Sequence, residues 1–510
     1  MAHTALGGLI GVMWLVLPGM TADQEGHESH EVPVSVLGSA PAVSEAPAVA
    51  AQEEETSTGD LVLPLVAAGA ATAVAAYSYA RRRRRVRTRT APAALFPVAQ
   101  PTAPELDRQA RKSLVAADDC LRTSREELGF VEGLFGAEAV APFTEAVRYA
   151  ETELSAAFQL RQTYDDNPTD AYRDALDEIV ARCVDAGRRL DAEAAGFDQL
   201  RALEQDMSGA LRHAEVRFRE LTGRTGAAEA TLADLRERYA PSASLLVSGQ
   251  VEQAKDRLVF ATTGLNRARQ SADLGDPERA VLQLRAAEGA ITQAEMFVDG
   301  VDRLASALAA AAQAVPDALD EAETAVVETR ERLAEGTADR EPVGALEGHV
   351  SRTEAALTAV REEAAAGPYD PLEALRRVSV VSAPLGTVPG ALRLVTRWAT
   401  DAADVFVGTH RGAVGAEART RLAEARRLLD RDPAEADAFA RQARELAERD
   451  VRAHGNPYGG RPEHTNGVAG AVLGGILLGD LPDAEAEALT GGTPGSFGGP
   501  ATRARRGVAP

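Results

Sequence analysis

Aromatic residues make up only 4% of this 510-residue chain, and cysteine occurs twice. So few rings leave little material for a β-sandwich or a conventional α/β core, which draw on Val, Ile and aromatic side chains. Two thiols, Cys120 and Cys183, are too few for a disulfide scaffold or a Cys-rich zinc or iron–sulfur site. Positive charge is also short. The 55 Lys and Arg stand against 77 Asp and Glu, a net charge of −22, which argues against nucleic acid as the main partner. What remains is dominated by Ala, Leu, Glu and Arg, all strong helix formers. The expected fold class is all-α.

Recognisable chemistry is missing too. The sequence has no G-x-x-x-x-G-K-[ST], no H-E-x-x-H and no G-x-S-x-G, so phosphate cradles, zincin helices and nucleophile elbows are not indicated. His213, His349 and His410 are isolated, and the two cysteines fall at apolar positions of helical patterns, where small core residues are expected. His27 and His30 stand near Glu25, Glu28 and Glu31, but no second cluster completes a coordination shell. No catalytic, cofactor or metal residue is assigned, and the chain is read as a non-enzyme.

Two uncharged runs suggest a membrane topology. Ala5 to Met20 is 16 residues long, short for a spanning helix and suited either to a cleaved signal peptide or to an uncleaved first anchor. Leu61 to Ala80 has 20 residues without a charge, enough to cross a ~30 Å hydrocarbon core at ~1.5 Å per residue. Tyr77 and Tyr79 fall near its end, where such rings favour the interface. Immediately beyond come Arg81, Arg82, Arg83, Arg84, Arg85, Arg87 and Arg89. Asp23 to Asp60, by contrast, holds nine carboxylates and no Lys or Arg. This asymmetry predicts a disordered acidic segment outside, and a body on the cytoplasmic face of the plasma membrane. The arginines also suit anionic lipid headgroups.

After a breaker-rich linker (81–104 with its basic start), Glu105 to His454 reads as helical almost throughout. Three heptad seams stand out. One is Val247, Val251, Ala254, Leu258, Ala261, Leu265 and Ala268. A second runs Ala280, Leu284, Ala287, Ile291, Ala294, Val298, Val301, Ala305 and Leu308. A third is Leu176, Ile179, Cys183, Ala186 and Leu190. Asp276-Pro277, Asp370-Pro371 and Asp432-Pro433 share one grammar, with Asp as N-cap and Pro at the first helical position. Glu373 and Glu435 stand three residues beyond their Asp, as in a capping box. Each turn predicts a helix folding back on its predecessor. Their unequal spacing excludes a 34-residue solenoid. The expected body is a set of antiparallel coiled-coil hairpins or an extended helical bundle. A loop at 379–390 would join a helical region at 105–378 to a hairpin subdomain at 391–454. The remainder, 455–510, reads as a Gly-rich flexible tail. It contains the apolar Val468 to Gly479, too short to span a membrane, for which peripheral membrane association, self-association and docking on the body all remain open.

The run from Asp60 to Thr90, the DP turn at Asp432-Pro433, Val468 to Gly479 and Ser496-Phe497-Gly498-Gly499 together resemble actinobacterial TPM-domain membrane proteins. The resemblance implies a membrane helix, a cytoplasmic helical region and a Gly-rich tail. It departs in one respect: Asp23 to Asp60 is too short for the TPM domain that precedes the membrane helix in that family. The phosphatase or membrane-protein maintenance role associated with that domain therefore has no residues here to carry it. The leading expectation is a membrane-anchored scaffold whose partners are anionic lipids, unknown cytoplasmic proteins and other copies of itself. A cell-division organiser or a degenerate TPM-type protein are the alternatives.

Overall fold

A computed structural model describes residues 101–167, 172–336, 342–386, 390–454 and 495–507. The N-terminal apolar run, the acidic segment, Leu61 to Ala80, the arginine cluster and Val468 to Gly479 lie outside these residues. Among the described residues there is no strand, so this part of the chain is all-α. No helix there is long and apolar enough to cross a membrane. All of them fall within one unit, Ala99–Pro510.

Helix α1 (Ala103–Asp166) opens with Glu105 accepting from the Thr102 backbone N–H (2.8 Å) and hydroxyl (2.9 Å). Its 64 residues do not form one rod. Gly136 has φ 80° and ψ 163°, a conformation that carries a Cβ penalty for other residues, and there the chain reverses. Arg161 pairs with Asp107, and Arg125 with Glu151, across the two arms. Helix α2 (Tyr172–Arg201) returns along the second arm, with the Tyr149 hydroxyl donating to Asp185 and Arg182 to Glu153. The three arms enclose one apolar core that includes Leu114, Val147, Phe158, Ile179 and Phe197. The third seam, Leu176 through Leu190, is buried in it.

A second core is built on α3 (Met207–Arg238), α4 (Gln250–Asp273) and α5 (Pro277–Ala334). The α4–α5 pair is antiparallel: Gln250 meets Gly300, Arg257 meets Gln293, and Gly264 meets Ala287. The seam residues Val251, Leu258, Leu265, Leu284, Ile291 and Val298 are all buried between helices. Alanine at intervening positions lets the axes approach. α3 runs parallel to α5, tied by Arg217 to Glu295 and Arg224 to Asp299. Beyond Pro316, α5 continues as the spine against α6 (Val343–Ala366), with Arg330 reaching Glu354.

The three Asp-Pro turns are formed as the sequence reads. Asp276 accepts from Arg279 N (3.1 Å), Asp370 from Glu373 N (3.1 Å) and Asp432 from Glu435 N (3.0 Å), each with Pro at the helix start. They open α5, α7 (Pro371–Ser382) and α10 (Pro433–Ala453), and each new helix packs on the one before it. The Glu373 carboxylate does not return to its cap. It accepts from Arg376 at 2.7 Å.

The expected loop at 379–390 needs correction. Helix α7 runs on to Ser382, and a 3-10 turn, Ala383–Leu385, follows. The Ser379 and Ser382 hydroxyls donate to carbonyls four residues back, at 2.8 and 2.9 Å, and so satisfy themselves inside the helix. Nor does this connection separate two subdomains. Leu375 and Val378 before it, and Val395 and Trp398 of α8 (Leu392–Thr409) after it, join one core on α5. A small third core links α8 to α9 (Ala416–Leu428) and α10.

Candidate functional site: a groove holding the C-terminal segment

The last described segment, Gly495–Gly507, lies in a groove formed by α1 and α2 and ends in a short helix, α11 (Pro500–Gly507). Here the expected flexible tail is corrected. Phe497 is fully buried, stacked on Phe197 with ring centres 4.3 Å apart and edge-on to Phe143 at 5.8 Å. Such pairs add ~0.5–1.5 kcal/mol beyond burial. Ser496 and Thr502 are also buried.

The groove binds backbone as well as side chain. Asp191 of α2 accepts from Gly499 N (2.9 Å), Ala501 N (3.3 Å) and Thr502 N (2.8 Å). It therefore caps α11 from a different helix and supplies negative charge at the end where peptide N–H groups are unpaired. Gly498 N donates to the Ser124 hydroxyl (3.1 Å), and Arg503 donates to the Asp119 carbonyl (2.8 Å). Steric fit requires glycine on both sides. A Cβ at Gly499 would lie 2.1 Å from the Gly187 carbonyl oxygen, and one at Gly187 would lie 2.7 Å from Pro500 Cδ. Gly498 has φ 131°, outside the range that L side chains favour.

Beside the groove, a cavity of about 560 Å³ opens between α1 and α9, lined by Arg122, Arg125, Arg419, Arg426 and Arg427 with Asp118, Glu151 and Glu424. Its floor is an ion network. Asp118 accepts from Arg122 (2.9 Å) and Arg419 (2.6 Å), Arg419 also reaches Asp119 (2.8 Å), and Arg122 reaches Asp404 of α8 (2.8 Å). Burial alone would raise the Asp118 carboxyl, yet Arg122 and Arg419 outweigh it and hold the group down at about 2. A second network joins α1, α2 and α5. Arg201 donates to Glu127 (2.8 Å) and to both oxygens of Glu288 (2.7 and 2.8 Å). Burial outweighs these contacts and leaves Glu288 above the ordinary carboxylate range.

The residues singled out from the sequence do not converge on a chemical centre. Cys120 and Cys183 are separate buried thiols, pushed up by burial to about 11 and about 12, which disfavours the nucleophilic thiolate. His213 lies edge-on to Phe130. His349 is within 2.9 Å of Arg352. His410 is buried, stacked on Phe406 and held at about 4, chiefly by burial. Among the described residues no group of three His, Cys, Asp or Glu is placed to hold a metal. The cap and seam residues are structural, and Arg81 to Arg89 lie outside the description. Sequence reading missed the groove. Its one signal was a lone Phe in the Gly-rich run Gly495-Ser496-Phe497-Gly498-Gly499 of a chain poor in aromatics.

Two proteins of Mycobacterium tuberculosis share extended similarity with this chain: UPF0603 protein Rv2345 of strain H37Rv and UPF0603 protein MT2410 of strain CDC 1551. Each is 31% identical over 431 residues, covering 77% of this chain. The chain is similar to the UPF0603 proteins. It spans 63% of these relatives' length. The likeness supports an actinobacterial kinship. No family model matches the chain, and no solved structure matches it.

Proposed function

We propose that this protein is a membrane-anchored scaffold, with a single helix at Leu61 to Ala80 tethering a helical body to the cytoplasmic face of the plasma membrane. The observation that carries the reading is the uncharged 20-residue run followed at once by seven arginines, directly ahead of a body that begins at Ala103. Long antiparallel helices such as α4 and α5 support the reading, since their outer faces give a scaffold area to offer to partners. The arginine cluster adds affinity for anionic headgroups of about 1 kcal/mol per residue near the surface. The net charge of −22 and the lack of a catalytic motif favour recognition over turnover in this reading.

Cysteine labelling tests the topology. Ser44→Cys should react with an impermeant maleimide in intact cells, and Ser351→Cys, at an exposed position on α6, should react only after permeabilisation. The native thiols add little background, because both are buried. Protection of Ser44→Cys together with labelling of Ser351→Cys in intact cells would overturn the proposed orientation.

A further inference from the structure

We propose that Arg257 of α4 and Gln293 of α5 form a buried binding site for a small inorganic anion, with chloride as the ion. The site is independent of the C-terminal groove and of the membrane tether.

Arg161, Arg257 and Arg419 are among the largest fully buried side chains. Two of them are neutralised. Arg161 pairs with Asp107 and Asp165, and Arg419 with Asp118 and Asp119. Arg257 is not. Its Nε donates to Gln293 Oε1 at 2.8 Å, and its Nη1 and Nη2 have no partner among the described residues. The contact at Oε1 fixes the orientation of the Gln293 amide and leaves its Nε2 unpartnered as well. One hydrogen-bonded pair therefore buries three donor nitrogens from which no described residue accepts. Guanidinium and amide nitrogens only donate, so the partner this arrangement calls for is an acceptor.

The surroundings add no negative charge to the pair. Asp256, the next residue along α4, is only partly buried and occupies another face of the helix. Phe297 places its ring centre 5.8 Å from the guanidinium carbon. His410, at the end of α8, meets Arg257 and Arg444 as positive charges that favour its neutral form. Gln250 and Gln253, on preceding turns of α4, each keep an unpartnered Oε1, but an amide oxygen does not neutralise a cation. A buried charge without a counter-charge is strongly unfavourable. Water would accept from the donors and leave the charge standing, whereas an anion answers both.

The seal selects the size of the ion. Arg257, Gln293 and Phe297 are 0%, 1% and 2% exposed, so the donors have no open approach for a bulky ligand. A monatomic anion accepts from several N–H groups at once and brings no polar atoms that need partners of their own. The ion then ties α4 to α5 inside the second core and makes the stability of the body depend on chloride.

Urea unfolding of the full-length protein in detergent, followed by circular dichroism, tests this. Sodium chloride replaces sodium gluconate at constant ionic strength. A ligand bound only by the folded state stabilises it in proportion to occupancy, so the unfolding equilibrium constant of the wild type should fall about tenfold when chloride stands at about ten times its dissociation constant. Bromide should substitute for chloride. Arg257→Met should abolish the chloride dependence. Gln293→Leu keeps the guanidinium and should weaken chloride binding by roughly tenfold, which decides the matter even where Arg257→Met fails to fold. Wild-type unfolding that is the same in chloride and gluconate would overturn the proposal and leave water as the donors' partner. A chloride response retained in Arg257→Met, or one of undiminished affinity in Gln293→Leu, would place the ion elsewhere and overturn it equally.

Discussion

Replacing Arg201 with methionine tests whether the body depends on its buried charges. Arg201 is 2% exposed at the side chain, and its partners Glu127 and Glu288 are 8% and 6% exposed. The substitution keeps much of the apolar stem but strips three charge-assisted hydrogen bonds from two buried carboxylates. Breaking a buried pair by removing one partner costs ~3–5 kcal/mol, because the remaining charge has no water to return to. Arg285, 3.6 Å from Glu127 and also favouring the charged form of Glu288, softens the loss in part. A pH signature follows. Glu288 already has a raised pKa, because burial outweighs the arginine, and losing Arg201 raises it further. A carboxyl with a folded pKa above its unfolded value binds more protons when folded, so its stabilising effect fades as pH rises. Urea unfolding of Arg201→Met should therefore show a deficit of ~3–5 kcal/mol at pH 7 that narrows toward pH 5. Adding Glu288→Leu should recover part of it. A variant within about 1 kcal/mol of wild type at pH 7 would refute the reasoning, as would a deficit unchanged between the two pH values.

Leu284→Asp or Ile291→Asp should each destabilise the body by several kcal/mol, about 3–5, since both positions are buried in the α4–α5 seam; retained helicity at the wild-type melting temperature would contradict this. Asp432→Ala removes the side-chain acceptor for Glu435 N and should cost about 1 kcal/mol in urea unfolding. His410, held at about 4 by burial with Arg257 and Arg444 nearby, binds fewer protons folded than unfolded below pH 6.5. Stability should then be lost as pH falls from about 6.5 toward 4, by about 2 kcal/mol between pH 7 and 5. His410→Phe should remove that part of the slope, and an unaltered slope would show that His410 is not its source.

What could be read from the sequence was local. Seam burial followed from heptad spacing in segments such as Ala280 to Leu308, because adjacent turns of one helix decide which face is apolar. The Asp-Pro turns followed from a hydrogen bond that spans three residues. The reversal at Gly136 was not read, although Gly129, Gly133, Gly136 and Pro142 fall close together, because isolated glycines are tolerated inside a helix pattern. The extent of α7 was underestimated because Ser379 and Ser382 suggest a loop by composition, whereas their hydroxyls bond back within the helix. The charge networks were unreadable for a different reason. Arg122 to Asp404 and Arg419 to Asp118 join residues roughly three hundred positions apart, and a solvated Arg looks identical to a buried one in a sequence of this composition.

Asp119 shows how the helical body and the docked C-terminal segment share material. Its carboxylate receives Arg419 of α9, and its carbonyl receives Arg503 of the C-terminal segment. Because the two contacts use different atoms, the segment's hydrogen bond at Asp119 does not compete with the Arg419 ion pair. The same separation holds at Ser124 and Asp191, which serve the segment without belonging to the Arg201 or Asp118 networks. The division is between interior ion pairs that fix the helices and a groove whose occupant is held without any of those buried pairs. Energetically, the docked segment depends on Phe497 burial and a few hydrogen bonds, while the helical body unfolds only at the larger cost of its buried networks and seams.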